Sequence, residues 1–194
     1  MRLFAAVWPP RQAVGELDEA VESLRGLPGA ERLRWAAPDA WHFTLSFYGE
    51  ATEDQARALG TRLARVAART TAPVPCRLSG GGRFGDRTLW VGLHREDSDV
   101  AALKKLAAAT TAAGRRADLL PPDVPASFHP HLTLARAKGR GAIDLRPYVE
   151  RLAPFRGSGW IARELLLVRS TLPAGGVPGE RPRYEPLERW PLGP

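Results

Sequence analysis

Cysteine is all but absent from this chain, with Cys76 alone among 194 residues. An internal disulfide is therefore excluded, and the composition fits a reducing cytosol in which Cys76 packs rather than reacts. Long apolar runs are missing too. No stretch approaches the roughly 18 residues that a membrane-spanning helix requires. The apolar run near the N-terminus, Leu3 to Trp8, stops at Pro9-Pro10. It is too short for the core and cleavage region of a signal peptide, so we expect a strand there, in a cytoplasmic protein with no membrane partner. Gly80-Gly81-Gly82 is followed by no Gly-Lys-Ser/Thr and no helix, which excludes a phosphate-binding P-loop. Lysine is scarce, three against 25 arginines, in a chain of net charge +7. Arginine's planar fork suits phosphate groups, and a positive field attracts RNA. Genome base composition produces the same excess, and Arg57, Arg62, Arg65 and Arg69 fall on an expected helix where a solvated face accounts for them. Charge by itself names no ligand.

Histidine is scarce as well, with four in the chain, yet two of them open the same signature. His42-Phe43-Thr44-Leu45 and His131-Leu132-Thr133-Leu134 lie 131 − 42 = 89 residues apart. Chance supplies roughly 0.2 His-x-Thr triplets in a chain of this composition. A repeated His/Thr pair suggests one active site built from two related halves. Each copy lies in a stretch with period-two patterning. Trp41, Phe43, Leu45 and Phe47 alternate with His42, Thr44, Ser46 and Tyr48, which predicts a strand with the first set facing the core. His42 and Thr44 then share one face, as do His131 and Thr133, with Leu132 and Leu134 opposite.

A histidine titrates near neutrality, and a threonine hydroxyl can donate to a phosphoryl oxygen. Two such pairs facing each other would grip a phosphodiester. One imidazole would activate water, the other would protonate the leaving oxygen, and the hydroxyls would hold the non-bridging oxygens. Acid–base catalysis of this kind supplies about 10²–10⁴-fold per group and needs neither metal nor cofactor. A lone strand histidine is more often structural; it is the pairing that carries the reading. A different arrangement would use His129 and His131 as metal ligands with His42 as a third, but no carboxylate or cysteine accompanies them in sequence.

These residues resemble the two-histidine phosphoesterase superfamily. Phe128-His129-Pro130-His131-Leu132-Thr133-Leu134-Ala135-Arg136 is similar to the RNA 2′,3′-cyclic phosphodiesterases, also called 2′-5′ RNA ligase-like proteins. Arg2–Val7, Arg34-Trp35, Phe47-Tyr48-Gly49, Gly82-Arg83-Phe84, Leu89–Gly92, Ser170-Thr171-Leu172 and Tyr184–Leu187 extend the likeness from about Arg2 to Trp190. The resemblance implies hydrolysis of a terminal 2′,3′-cyclic phosphate on RNA, or of related nucleotides, to a 2′-phosphomonoester. His42 would be the proton donor, His131 the proton acceptor, and Thr44 and Thr133 the phosphate ligands. Some relatives also run the reverse reaction and join RNA through a 2′-5′ bond. A binding module that keeps the fold without turnover is the reading from another class. The segment Pro173–Arg183 is longer and richer in Pro and Gly than the family's usual link.

Tyr48 and Phe84 are candidates for stacking on a base, Tyr48 because it shares the His42 face and Phe84 because it tips an expected hairpin. Arg136 is a candidate phosphate clamp, although strand parity places it with Leu132 and Leu134, away from His131. Expected strands cover Arg2–Trp8, Leu33–Ala36, Trp41–Tyr48, Val74–Leu78, Leu89–Leu93, Ser158–Arg163, Leu165–Ser170 and Tyr184–Leu187. Ser79–Arg87 reads as a Gly-rich loop. Expected helices cover Pro10–Arg25, Thr52–Thr70 with a Thr52-x-x-Gln55 capping box, Asp97–Ala113 stopped by Gly114, and Leu145–Leu152. The pattern is that of an α+β fold in one domain, residues 1–194: two pseudo-symmetric lobes, each an antiparallel sheet backed by helices, with a central cleft. A monomer with no obligate protein partner is expected.

Overall fold

The structure, a computed structural model, describes residues 1–94, 97–120, 128–139, 141–172 and 182–193. Among these residues, two antiparallel sheets and four α-helices make an α+β fold. The first sheet holds β3 (Phe43–Glu50), β1 (Arg2–Val7), β8 (Glu164–Thr171) and β9 (Arg183–Pro191), in that spatial order. The second holds β2 (Leu33–Trp35), β6 (His131–Ala137), β5 (Thr88–Leu93), β4 (Pro75–Phe84) and β7 (Arg156–Ile161). The two halves of the sequence trade strands: β2 joins the sheet built mainly from the middle of the chain, and β8 and β9 return to the sheet of β1. Each of these strands overlaps one expected from the sequence, whereas the exchange depends on pairing between residues distant in the chain.

Helices α1 (Arg11–Arg25), α2 (Glu53–Arg69), α3 (Asp97–Arg115) and α4 (Arg146–Leu152) cover the sheets. α1 buries Ala13, Leu17, Val21 and Leu24, a stripe at helical spacing. α2 starts at the predicted capping box: the Gln55 amide donates to Thr52 Oγ1 and the Thr52 amide to Gln55 Oε1. It buries Leu59 and Leu63 completely, each contributing about 1.5–3 kcal/mol. Strand β1 is buried on both faces. Leu3, Ala5 and Val7 join the main core under the helices, while Phe4 and Ala6 pack with Leu166 and Val168 on the opposite face.

Two expectations about glycines are corrected. Ser79–Phe84 is not a loop but the second half of β4, and only Gly85–Arg87 turns the chain. Any side chain at Gly82 would fall on the Trp90 ring, and one at Gly81 would press into Leu152. These glycines make room within a strand. Gly114 does not stop α3, which continues to Arg115. A Cβ there would collide with the Tyr48 ring, so close approach explains the residue. Most of the Pro-rich connection before the second signature, and residues 173–181 of the Pro/Gly-rich link near the C-terminus, lie outside the described residues.

Candidate active site

The two signature strands sit on different sheets and touch each other, β3 in the first and β6 in the second. Both carry the same irregularity. Along β1, Ala6 pairs with Thr44 and Ala5 with Ser46, so Leu45 is the extra residue of a β-bulge. Along β5, Trp90 pairs with Thr133 and Leu89 with Ala135, so Leu134 is the extra residue. The bulge falls on the leucine of each His-x-Thr-Leu. Two consecutive residues then point to the core, Leu45-Ser46 in one copy and Leu134-Ala135 in the other, all less than a tenth exposed. Beyond that point the alternation is reversed.

This reversal revises two predicted roles. Arg136 returns to the face of His131 and Thr133, is exposed, and its positive charge is felt by the His131 ring. The parity argument against it fails because a bulge intervenes. Tyr48 goes the other way. It is 3% exposed, its hydroxyl donates to the Thr110 carbonyl at 3.1 Å, and burial pushes its ionisation up. Tyr48 is a core residue of the β3–α3 contact and does not stack on a base. Phe47, expected in the core, takes the outward place, 44% exposed with the Arg2 guanidinium 4.6 Å above its ring.

The histidines are set alike. His42 Nδ1 lies 2.7 Å from the Ala40 carbonyl oxygen, and His131 Nδ1 lies 2.7 Å from that of His129. A carbonyl only accepts, so Nδ1 carries the hydrogen in both rings. In the neutral form each Nε2 is then a bare acceptor. Thr44 and Thr133 are half-buried, and neither hydroxyl is hydrogen-bonded to another described residue.

Aromatic walls surround both rings. Phe4 stacks on His42 at 4.8 Å, Trp8 tilts over it at 5.1 Å, and Tyr184 meets it edge-on at 4.9 Å. Trp8 is itself fixed, its indole N–H donating to the Asp39 carbonyl at 3.2 Å. On the other side Phe84 stands edge-on to His131 at 4.8 Å, with Trp90 at 6.2 Å. Phe84 is 42% exposed, so the expected stacking residue is where a base could reach it. Phe4, Trp8 and Tyr184 were not singled out from sequence. Only Trp8, closing a strand just before two prolines, carried any local signal.

Burial lowers the proton affinity of His42 most, against the Ala40 carbonyl, which raises it; the charge of His131 lowers it further, to a pKa of about 4. The strands that carry the two rings are in contact, so each lies within reach of the other's charge. His131 is also lowered, first by burial, against the His129 carbonyl, and then by the charges of His129 and Arg136. Tyr184, beside His42, feels Arg136 from the opposite sheet. Both imidazoles are thus neutral near pH 7. Among the described residues no three His, Cys, Asp or Glu side chains gather as a metal-ligating group; His129 and His131 face each other with ring centroids 6.2 Å apart.

Twin His/Thr strands on two interlocked antiparallel sheets define a bilobed phosphoesterase-like fold. The chain belongs to the 2′-5′ RNA ligase superfamily, whose family model matches residues 9–172. It is 26% identical over 164 residues to an RNA 2′,3′-cyclic phosphodiesterase of Aquifex aeolicus, covering 82% of each chain. It is 29% identical over 154 residues to one of Archaeoglobus fulgidus, covering 71% of this chain and 73% of that one. Among solved structures it is similar to E. coli LigT complexed with 3′-AMP, with a TM-score of 0.72, 26% identity, and 98% and 97% of the two chains covered.

Proposed function

We propose that the chain hydrolyses a terminal 2′,3′-cyclic phosphate on RNA to a 2′-phosphomonoester, by acid–base catalysis between His42 and His131 with no metal. The observation that carries this reading is the duplicated posture of the two histidines, each with Nδ1 tied to a backbone carbonyl and Nε2 left to act. Water attacks phosphorus while His131 Nε2 takes its proton. The bond from phosphorus to the 3′-oxygen breaks, and His42 Nε2 supplies that oxygen with a proton. One ring ends with a proton gained and the other with one lost, and solvent exchange restores both. Thr44 and Thr133 donate to the non-bridging oxygens.

The low proton affinity of His42 has a role in this scheme. An empty site holds the ring neutral, since its pKa is about 4. An anionic phosphate beside it raises that affinity, so substrate binding loads the proton that the acid must give. Phe84, Trp90 and Tyr184 supply surfaces for the terminal base, and Arg136 a charge for the phosphate. Turnover is favoured over mere binding because binding alone requires no pair of titratable rings.

The test is an assay of the purified chain on an RNA ending in 2′,3′-cyclic phosphate, with and without EDTA. The expected result is a 2′-phosphate product formed at the same rate in chelator. A 3′-phosphate product would reverse the assignment of the leaving oxygen. Loss of turnover in EDTA, restored by zinc or manganese, would replace the metal-free mechanism with one built on His129 and His131. Binding of the RNA end without turnover would leave a recognition module.

A further inference from the structure

A second feature lies in the helical layer, on the side of the sheets away from the histidines. A groove of about 710 Å³ runs between α2 and α3 and the segment Thr70–Val74. Arg62, Arg65 and Arg69 border it from α2, Lys105 from α3, and Arg116 from the turn just after α3. Alanines of α3 and Leu106 form much of its floor, and no carboxylate of the described residues lines it.

The arginines elsewhere show what is unusual here. Arg25 pairs with Glu22, Arg57 with Asp54, Arg146 with Asp144, Arg169 with Glu185, and Arg189 with Glu164. None of the five groove cations forms an ion pair with a described residue. Three of them sit at i, i+3 and i+7 on one helix, where like charges three or four residues apart destabilise the helix. Arg62 Nε is also buried without a hydrogen-bond partner, which costs about 1–3 kcal/mol when nothing satisfies it. A solvated helix face explains exposed arginines. It does not explain a buried, unsatisfied guanidinium nitrogen in a groove bordered by four further cations that pair with no described residue.

We infer that this groove is a binding site for the phosphodiester backbone of RNA, separate from the cleft. Extent selects a polyanion over a single phosphate: along α3 alone the groove runs from Lys105 to Ala113, about 12 Å, with Arg116 beyond. The alanine floor lets a backbone approach the helices closely. The site would hold the body of an RNA and add affinity that a mononucleotide cannot gain. The choice of RNA among polyanions rests on the reading that the cleft acts on an RNA end; the groove itself does not depend on turnover.

The test uses the full chain and a labelled single-stranded RNA of about 20 nucleotides with an unreactive 3′-hydroxyl, read by fluorescence anisotropy. The triple variant Arg65→Glu/Arg69→Glu/Lys105→Glu alters only exposed side chains and should bind this RNA at least about 10-fold more weakly. The neutral triple, with Gln at the same positions, should flatten the log–log salt dependence by about 2, near 0.7 per lost phosphate contact. Both variants should turn over a nucleoside 2′,3′-cyclic phosphate within about twofold of wild type, because none of the three residues touches the cleft. Unchanged RNA affinity in both triples overturns the inference. So does loss of binding to anionic phospholipid vesicles with RNA affinity intact, which would make the groove a lipid-headgroup site. Weakened RNA binding in a chain that turns over no cyclic phosphate at all would support the groove while refuting the proposed reaction.

Discussion

His42 and His131 take one posture on two different sheets: in each, Nδ1 lies 2.7 Å from the carbonyl oxygen two residues earlier, Ala40 in one case and His129 in the other. The equivalence extends to the bulges at Leu45 and Leu134, which follow the histidines at the same distance along the strand. Duplicated geometry of this kind makes the two rings interchangeable as proton carriers. Their environments, not their posture, divide the roles. His42 is enclosed by Phe4, Trp8 and Tyr184, while His131 lies by Arg136 and His129.

Replacing either ring should therefore be costly, and replacing both should add little. His42→Ala and His131→Ala are each expected to lower kcat by at least about 100-fold, and the double variant to fall less than additively, because the groups act as a unit. Thr44→Ala and Thr133→Ala should cost less, about 1.5–3 kcal/mol each in kcat/KM, the worth of one charge-assisted hydrogen bond. Steady-state kinetics with thermal unfolding as a folding control would decide this. A His variant with near wild-type turnover would make that ring structural.

The depressed proton affinity of His42 predicts how stability follows pH. The folded chain protonates this ring near pH 4, whereas an unfolded chain does so near 6.5. Between those values the unfolded state binds more protons, so stability rises with pH. The His42 contribution is fully present above about pH 6.5 and is lost as pH falls toward 4. Urea unfolding of wild type and His42→Gln across this range should give a flatter pH dependence for the variant. Parallel curves would mean that the ring is not desolvated in solution.

Much of the fold was legible because its signals are local. The α2 capping box, the α1 stripe and the alternation in Trp41–Leu45 each rest on a few neighbouring residues. What escaped depends on partners distant in the chain. A bulge is defined by a skipped residue on the neighbouring strand, so uninterrupted alternation put Tyr48 beside His42 and Arg136 away from His131. The signal present in both copies was a small residue after the leucine, Ser46 and Ala135, where two inward side chains in succession fit under the helices. Tyr184 was unreadable for a similar reason. It reaches His42 only because β9 returns beside β8, opposite Ser170. The exposure of Phe84 needed no such information, since a hairpin tip is exposed by its local sequence alone.

Arg136 offers a direct check on the bulge. Its charge lowers the proton affinity of His131, so removing it should raise that affinity. NMR titration of Arg136→Ala is expected to show the His131 ring protonating at higher pH than in wild type, with the His42 ring less affected. If the guanidinium also binds the substrate phosphate, kcat/KM falls about 10–100-fold in Arg136→Ala and partly recovers in Arg136→Lys, which keeps the charge but not the fork. A His131 titration unmoved by Arg136→Ala would return the side chain to the face that simple alternation gave it.

Tyr184 tests whether enclosure sets the chemistry of His42. Its ring meets the imidazole edge-on at 4.9 Å and closes the side not covered by Phe4 and Trp8. Tyr184→Ala opens that side to water. Desolvation is the main cause of the low His42 pKa, so the value should climb from about 4 toward 6.5. Tyr184→Phe keeps the ring in place and should leave it low. The alkaline limb of kcat against pH, where the acid loses its proton, should shift upward with the titration in Tyr184→Ala but not in Tyr184→Phe. A His42 resonance still titrating near pH 4 in Tyr184→Ala would show that Phe4 and Trp8 alone exclude water, and that the C-terminal strand takes no part in tuning the acid.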